Sequence, residues 1–480
     1  MNRREYEEEY LQHENMRKNA KSDKNRLHFH LMPPSGWMND PNGLCQFLGE
    51  NHIYYQYTPF STSWGLKLWG HYTTTDWIHY HEEAPFLFPD TEWDKDGAYS
   101  GSAFVQKDGI HFYYTGNVKK TDKKYDYIMD GREQNTMHVF SPDGRKITYK
   151  ELIMTNDDYP ANMSRHVRDP KVFEKNGNYY MIQGGRDEDS KACILIFQSA
   201  NLKEWTWYDT IYPDKDFGYM WECPDLFEID GQQFLVCCPQ GVKREAYNFQ
   251  NIYQCGYFPV KFDLQNRIYQ FGEFAEFDKG FDIYAVQTFQ DEKGRRILIG
   301  WMGIPDAEYD NDETISFDWI HALTMPRELC VVNGKILQKP LKEMEKLRIN
   351  KRSCEIQRFK GWNPKDSCFE MRIEFTNQEE LEIQLREDVF LVWDEGIFRL
   401  KMGKSGHGRN ERIAEIEKLL NLTIFSDTSS VEIFINDGET VMTSRIYSEH
   451  LGQEVKFISG ENKGMVTGYE LGRFRIKTTE

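Results

Sequence analysis

The chain has 480 residues, of which 39% are hydrophobic and 28% charged, and its formal net charge is −18. This length allows more than one domain, and the composition is typical of a folded protein rather than a disordered one. The acidic excess argues against nucleic acid or anionic lipid as a partner, because such binding needs a basic surface. The sequence has no apolar run long enough to cross a bilayer, so no membrane association is expected.

The chain begins with a charged segment, residues 1–25, which we expect to form an exposed helix or a frayed arm. No apolar stretch typical of a secretory signal follows Met1. The nine cysteines are scattered and show no ligand spacing, which favours reduced thiols in a cytoplasmic protein. We therefore expect no metal site and no cofactor. The sequence carries no signal for an oligomeric state.

A degenerate unit recurs between residues 26 and 338. Each copy has a short polar motif, an apolar strand, a tight turn and an aromatic-rich strand. Turns such as Asp108-Gly109 and Asn176-Gly177 are typical of β-hairpins, since type I′ turns require positive φ. The copies begin at Asp40, Ser100, Asp169, Pro224 and Tyr284.

Radially repeated four-stranded sheets form a β-propeller, so five copies predict a five-bladed β-propeller over residues 26–338. A large β-sandwich with chance hairpins is the alternative. Residues 339–352 indicate a linker, and alternating strands at 353–480 indicate a C-terminal β-sandwich. The predicted fold class is all-β. Because each motif precedes the first strand of its hairpin, we expect the motifs to converge on one central pocket.

Three carboxylates lie at or beside these motifs: Asp40, Asp169 and Glu222. Carboxylates crowded into one pocket are difficult to ionise together, and glycoside hydrolysis is one chemistry that uses such a group. We expect the aromatic side chains of Trp221 and Trp301 to keep Glu222 protonated. Arg168 is expected to keep its neighbour Asp169 ionised. The competing interpretation is that Asp-Pro and Asn-Gly are ordinary turn elements.

Several longer motifs resemble those of glycoside hydrolase family 32, the β-fructofuranosidases. The segment Trp37–Gly43 (WMNDPNG) carries the strongest likeness. Phe173 and Val286 are departures from the family pattern, and we interpret both as packing changes. The other matching segments are 99–103, 114–117, 168–172, 220–227, 294–302, 323–329 and 427–434.

The resemblance implies a propeller followed by a sandwich, in agreement with the repeats. It implies double displacement, with Asp40 as nucleophile, Glu222 as acid/base and Asp169 as the group that stabilises the transition state. It also implies a sugar site whose substrate-binding residues are Trp37, Met38, Asn39, Gln56, Trp64, Tyr99, Ser100, Arg168 and Trp301.

The family resemblance implies a small sugar as substrate, sucrose or sucrose 6-phosphate, from which fructose is released. An exo-hydrolase of short fructo-oligosaccharides such as kestose is the alternative. A sugar-binding propeller without catalytic activity is a third hypothesis, which the presence of all three carboxylates disfavours.

Overall fold

The computed structural model of the protein describes residues 1–377 and 379–478. Most of these residues lie in strands, which confirms the predicted all-β class. Two helices form the N-terminal segment, α1 (Arg3–Gln12) and α2 (Glu14–Ser22), and a capping box between Asn2 and Glu5 begins α1. No helix in the described part of the chain is both long and apolar enough to cross a membrane.

The first two sheets follow one another along the chain. The first contains β1 (Gly36–Phe47), β2 (Glu50–Thr58), β3 (Leu68–Thr74) and β4 (His79–Leu87). The second contains β5 (Ala98–Gln106), β6 (Gly109–Lys119), β7 (Arg132–Ser141) and β8 (Tyr149–Met154). Neighbouring strands within each run antiparallel, as hairpins require.

Three more sheets continue the series. The third contains β9 (Met163–Lys175), β10 (Asn178–Asp187), β11 (Ala192–Ser199) and β12 (Thr206–Ile211). The fourth contains β13 (Met220–Ile229), β14 (Gln232–Gln240), β15 (Gly256–Asp263), β16 (Ile268–Phe271) and β17 (Ala275–Glu276). The fifth is built from β18 (Tyr284–Gln290), β19 (Arg296–Met302), β21 (Ala322–Leu323), β22 (Arg327–Val332) and β23 (Lys335–Pro340). Between β19 and β21 lie helix α3 (Asp312–Ile315) and strand β20 (Trp319–Ile320), which pairs with β1.

The first strands of the five sheets contact one another in chain order, and β18 returns to β1 to close a ring. This is the radial arrangement of a propeller. Each first strand also shifts register with its hairpin partner at its sequence motif. Such bulges redirect side chains at the end of a strand. The repeated motifs therefore sit together at the centre of the ring.

Two further sheets pack face to face around an apolar core. One has the order β24 (Arg348–Glu355), β34 (Gly464–Leu471), β25 (Phe369–Phe375), β30 (Asn421–Asp427), β31 (Ser430–Ile435) and β32 (Thr440–Arg445). The other has the order β29 (Glu411–Glu415), β28 (Ile397–Met402), β27 (Val389–Asp394), β26 (Leu381–Arg386) and β33 (Lys456–Ser459). Ile373, Leu391 and Ile433 are among the side chains buried between them. The predicted C-terminal sandwich is thus present.

Two strands lie differently from the predicted segments. Strand β24 begins within the predicted linker 339–352, where a 3₁₀ turn (Lys342–Leu347) precedes it. Strand β35 (Arg475–Thr478) falls in the predicted sandwich range 353–480 but pairs in parallel with β4 of the first sheet. The sandwich segment therefore contributes a strand to the propeller.

Ion pairs between buried side chains join the propeller to the sandwich. Arg327 forms ion pairs with Asp278 at 3.1 Å and with Glu432 at 2.6 Å, and all three side chains are fully buried. Arg409 pairs with Asp282 at 2.8 Å in the same interface. A buried charge that loses its partner is strongly destabilising. These contacts therefore fix the two parts of the molecule against each other.

Candidate active site

Asp40, Asp169 and Glu222 reach the centre of the ring from β1, β9 and β13. Each lies at a break in strand register: Asp40 between Met38 and Pro41, Asp169 opposite the Ile182/Gly184 shift, and Glu222 at the edge of its own. Asp169 has φ +64° and Cys223 has φ +50°. Such values are uncommon outside glycine, though aspartate tolerates them better than most residues. The bulges thus turn three carboxylates toward one place.

Neutral groups surround the carboxylate of Asp40. The Asn39 amide donates to its Oδ1 at 2.9 Å, and the Ser100 hydroxyl donates to its Oδ2 at 2.5 Å. The Cys223 thiol lies 3.9 Å from the same Oδ2. Burial raises the pKa of Asp40, the two donors oppose that rise, and the negative charge of Glu222 adds to it. Asp40 is a carboxylate oriented by hydrogen bonds with no ion pair among the described residues.

Glu222 has a different set of partners. Arg168 donates from Nε at 3.1 Å and from Nη2 at 2.8 Å to its Oε1. The Tyr284 hydroxyl at 2.6 Å and the Gln240 amide at 2.7 Å donate to its Oε2. Both carboxylate oxygens are therefore held, and the side chain has a single defined orientation toward the centre of the ring.

The environment of Asp169 differs from the expected one. The Cys223 backbone N–H donates to its Oδ2 at 2.9 Å, and its own backbone N–H donates to the Thr115 hydroxyl at 2.9 Å. Burial raises the pKa of Asp169 to about 7, although the positive charge of Arg168 opposes the rise. The charge of Arg168 thus acts on the pKa of Asp169 in the expected direction but does not offset the effect of burial. The guanidinium of Arg168 is hydrogen-bonded to Glu222.

Aromatic rings line one side of the carboxylates. The Trp37 indole donates to the Asn39 amide oxygen at 2.9 Å, and Trp64 meets the Trp37 ring edge-on at 6.0 Å. Tyr99 lies edge-on to Trp64 at 6.4 Å. Lys67 is fully buried, with Nζ 4.9 Å and 4.3 Å from the centroids of the Trp37 and Trp64 rings. Two carboxylates with different partners beside an aromatic wall can perform nucleophilic and acid/base chemistry on a sugar.

Comparison with known proteins identifies the relatives of this fold and site. The model "Glycosyl hydrolases family 32 N-terminal domain" matches residues 30–340, and "Glycosyl hydrolases family 32 C terminal" matches residues 341–471. The chain belongs to glycoside hydrolase family 32. It is therefore a glycosidase, as the motifs of the sequence predicted.

The relatives of this family 32 chain match over nearly their whole length. A sucrose-6-phosphate hydrolase of Bacillus subtilis (strain 168) is 39% identical over 441 residues, covering 89% of this chain and 90% of that protein. The solved sucrose-6-phosphate hydrolase of Lactobacillus gasseri has a TM-score of 0.87 at 27% identity, with 96% of each chain covered. A Bombyx mori family 32 β-fructofuranosidase variant in complex with sucrose has a TM-score of 0.84 at 26% identity, with 99% of this chain and 100% of that chain covered.

Four side chains predicted to shape the site are buried in this family 32 chain. Met38 is 0% exposed in the core of the first sheet, and Trp301 is 1% exposed behind Trp37, with ring centroids 6.2 Å apart. Gln56 is buried and donates to the Ala98 carbonyl at 3.0 Å. Trp221 packs in the core between the third and fourth sheets and is no wall for Glu222. Met38 and Trp301 thus pack beside Trp37, and direct contact of Met38, Gln56 and Trp301 with the substrate stays a prediction.

Sequence analysis missed two partners of Glu222, Tyr284 and Gln240, as site residues. Tyr284 opens the fifth repeat, so the phase of the repeats contained a signal for it. Gln240 ends the strand opposite β13, where it pairs with Met220, and the sequence offers no signal for that position. Lys67 likewise lies outside every motif. Its burial lowers the pKa of its ammonium well below the ordinary value.

One group of potential metal ligands lies away from the site of this family 32 chain. His28, Cys368 and Asp427 offer atoms within 4.8 Å of one another. The Asp427 oxygens already accept hydrogen bonds from the backbone N–H groups of His28 at 2.7 Å and Phe29 at 2.9 Å, and from His30 at 2.8 Å. This donor set fits a structural junction between the N-terminal segment and the sandwich.

Proposed function

We propose that the protein releases fructose from sucrose or sucrose 6-phosphate by hydrolysis with retention of configuration. The observation that carries this proposal is the convergence of Asp40, held by neutral donors, and Glu222, held by its own separate donors, on the centre of the ring. The names of the relatives with 26–39% identity point to the same substrates. They do not favour the alternative of an exo-hydrolase of short fructo-oligosaccharides.

In the proposed mechanism, Asp40 attacks the anomeric carbon of the fructosyl unit while Glu222 protonates the departing glycosidic oxygen. The glucosyl half then leaves and a covalent fructosyl ester remains on Asp40. Glu222 next takes a proton from water, and the resulting hydroxide attacks the same carbon to release fructose. Ser100 and Asn39 orient Asp40, since both donate to its carboxylate.

Asp169 has the proposed role of accepting hydrogen bonds from fructosyl hydroxyls. Its position beside Cys223, at the centre of the ring, supports contact with the same sugar as Asp40. The proposed substrate-binding residues are Trp37, Met38, Asn39, Gln56, Trp64, Tyr99, Ser100, Arg168 and Trp301. Trp64, which is 52% exposed, supplies a face at the entrance.

The finer architecture is part of the same proposal. The five sheets of residues 36–340 are five propeller blades, residues 26–338 form the catalytic domain, and the sandwich is joined through 339–352. The ring of first strands supports this division. The proposed location is cytoplasmic, and the nine cysteines, all free thiols, support a reducing compartment.

The first test compares matched carboxylate variants. Wild-type protein should release fructose from sucrose, whereas Asp40→Asn and Glu222→Gln should lose most of kcat while remaining folded. Glu228→Gln is the matched control, because Glu228 is an exposed glutamate on the same strand β13. Near-normal turnover in either site variant refutes its assigned role.

The second test addresses stereochemistry and substrate. Proton NMR of the first turnovers should detect β-fructofuranose before it mutarotates, because two displacements at the anomeric carbon retain its configuration. Appearance of the α-anomer first would exclude the covalent intermediate on Asp40. Sucrose cleaved more slowly than 1-kestose would favour the fructo-oligosaccharide hydrolase instead.

A further inference from the structure

Two arginines lie at the same end of the ring as the carboxylates. Arg132 begins β7 and pairs with Lys119, beside the hairpin end where β5 begins. Arg186 lies near the end of β10, one residue past the pairing of Gly185 with Val167. Both therefore border the part of the site formed by the second and third sheets. We call Arg132 and Arg186 the arginine pair.

His166 connects the arginine pair to the acid/base candidate. Arg168 Nη1 lies 3.1 Å from His166 Nδ1, and His166 Nε2 lies 3.3 Å from the Tyr127 carbonyl oxygen. Arginine only donates, so Nδ1 accepts and Nε2 carries the proton, which makes the ring neutral. Burial, and then the positive charges of Arg168, Arg132 and Arg186, lowers the pKa of His166 to about 2.

Neither member of the arginine pair has a carboxylate partner. Among the described residues, Arg168 has an ion pair with Glu222 within 4.0 Å, but Arg132 and Arg186 have none with any acidic group. The Nε atoms of both are buried without a hydrogen-bond partner. Arg132 is 5% exposed, lies 4.2 Å from the Tyr127 ring and donates to its hydroxyl.

Within the part of the chain that the structure describes, Arg186 likewise has only neutral hydrogen-bond partners. Its Nη2 donates to the Ser190 hydroxyl at 2.9 Å, and its guanidinium lies 4.6 Å from the Tyr219 ring centroid. The backbone N–H groups of Ile128 and Met129 donate to Asp126 Oδ1 and lower its pKa, and the positive charge of Arg186 adds to that effect. Asp126 forms no ion pair with Arg186 within 4.0 Å among the described residues. Burying guanidinium N–H groups without hydrogen-bond acceptors costs free energy. The chain has more acidic than basic groups, with a net charge of −18, and yet neither arginine has an acidic partner among the described residues.

We propose that the arginine pair binds a phosphate group on the leaving half of the substrate, so that the enzyme prefers a 6-phosphorylated sugar over sucrose. This inference rests on the proposed fructosidase function. The geometry favours the leaving half because Arg132 contacts Tyr127, whose carbonyl lies beside His166, the neighbour of Arg168. Arg186 follows Gly185, which pairs with Val167 between His166 and Arg168. Arg168 holds the group that protonates the leaving oxygen. Guanidinium forks suit phosphate, since two parallel N–H groups match two oxygens.

The test is the ratio of kcat/KM for sucrose 6-phosphate to that for sucrose. Wild-type protein should give a ratio above about ten, and Arg132→Met and Arg186→Met should each lower that ratio about tenfold, because each removes a charge-assisted contact. Arg132→Lys should restore part of the preference, since it restores the charge without the fork. Glucose 6-phosphate should inhibit wild-type protein more strongly than glucose does. This difference between the two inhibitors should be smaller in the Met variants.

Arg165→Met is the matched control, because Arg165 neighbours His166 but pairs with Asp157 at 3.6 Å. Its ratio should stay within about twofold of wild type. An unchanged ratio in both Met variants, or an equal fall in Arg165→Met, overturns the proposed phosphate site. A protein that cleaves neither sugar overturns the proposed function itself, so the two failures are distinguishable.

Discussion

The contact between Arg168 and Glu222, in which two guanidinium N–H groups donate to the single oxygen Oε1, is the most informative to perturb. Replacement of Arg168 by lysine keeps a positive charge but leaves one point donor in place of two parallel N–H groups. The Nε contact at 3.1 Å and the Nη2 contact at 2.8 Å would not both survive. A hydrogen bond to a charged group contributes about 1.5–3 kcal/mol, so kcat/KM for sucrose should fall about 10- to 150-fold.

Two measurements check this prediction. Initial rates give kcat/KM for wild type and Arg168→Lys. Free energies of unfolding then give the coupling of Arg168→Lys to Glu222→Gln and, separately, to Asp169→Asn. Residues in contact couple by about 0.5–3 kcal/mol, and the coupling should be larger with Glu222.

Two outcomes would contradict this role of Arg168. A kcat/KM in Arg168→Lys equal to that of wild type means that the two-donor contact with Oε1 has no role in catalysis. A coupling that is larger with Asp169 than with Glu222 means that the arginine serves Asp169, as the sequence had suggested. Either outcome would require a different account of how Glu222 is held.

Three further predictions concern the site and the interface. Ser100→Ala should lower kcat/KM about tenfold, because Asp40 loses its hydrogen bond of 2.5 Å; an unchanged value contradicts its orienting role. Arg327→Met should lower the free energy of unfolding in urea by about 3–5 kcal/mol, and a change under 1 kcal/mol would be unexpected for a buried ion pair. Burial alone would lower the pKa of His30, but hydrogen bonds to two carboxylates raise it above the unfolded value of about 6.5. Its stabilisation is thus complete below pH 6.5 and is lost as pH rises through the folded pKa, so His30→Gln should flatten the alkaline loss of stability.

The repeats could be predicted from sequence because turns and strand periodicity are local properties. Asn176-Gly177 indicates a hairpin without reference to any distant residue, and the structure has that turn between β9 and β10. The phase of the motifs also follows from local sequence. It correctly grouped Asp40 and Glu222, whose strands meet at the centre of the ring.

Other features depend on contacts between distant strands. Arg168 precedes Asp169 in sequence, yet a bulge with φ +64° at Asp169 interrupts the strand there, and the guanidinium reaches Glu222 on β13. Regular alternation along β1 buries Met38 in the core beside Trp37, whose ring faces the site. The Gln240 contact to Glu222 arises only from the register of a hairpin with a bulge. Such pairings are set by tertiary geometry.

The parallel pairing of β35 with β4 has a consequence for biosynthesis. The first sheet to leave the ribosome keeps an open edge on β4 until the sandwich segment has been synthesised, because β35 is what covers it. Unpaired edges recruit other chains, and incompletely folded domains expose them. Until β35 is synthesised, the nascent chain therefore has an unpaired strand edge on β4 that can pair with other chains. A chain that terminated after β34 would keep this edge unpaired.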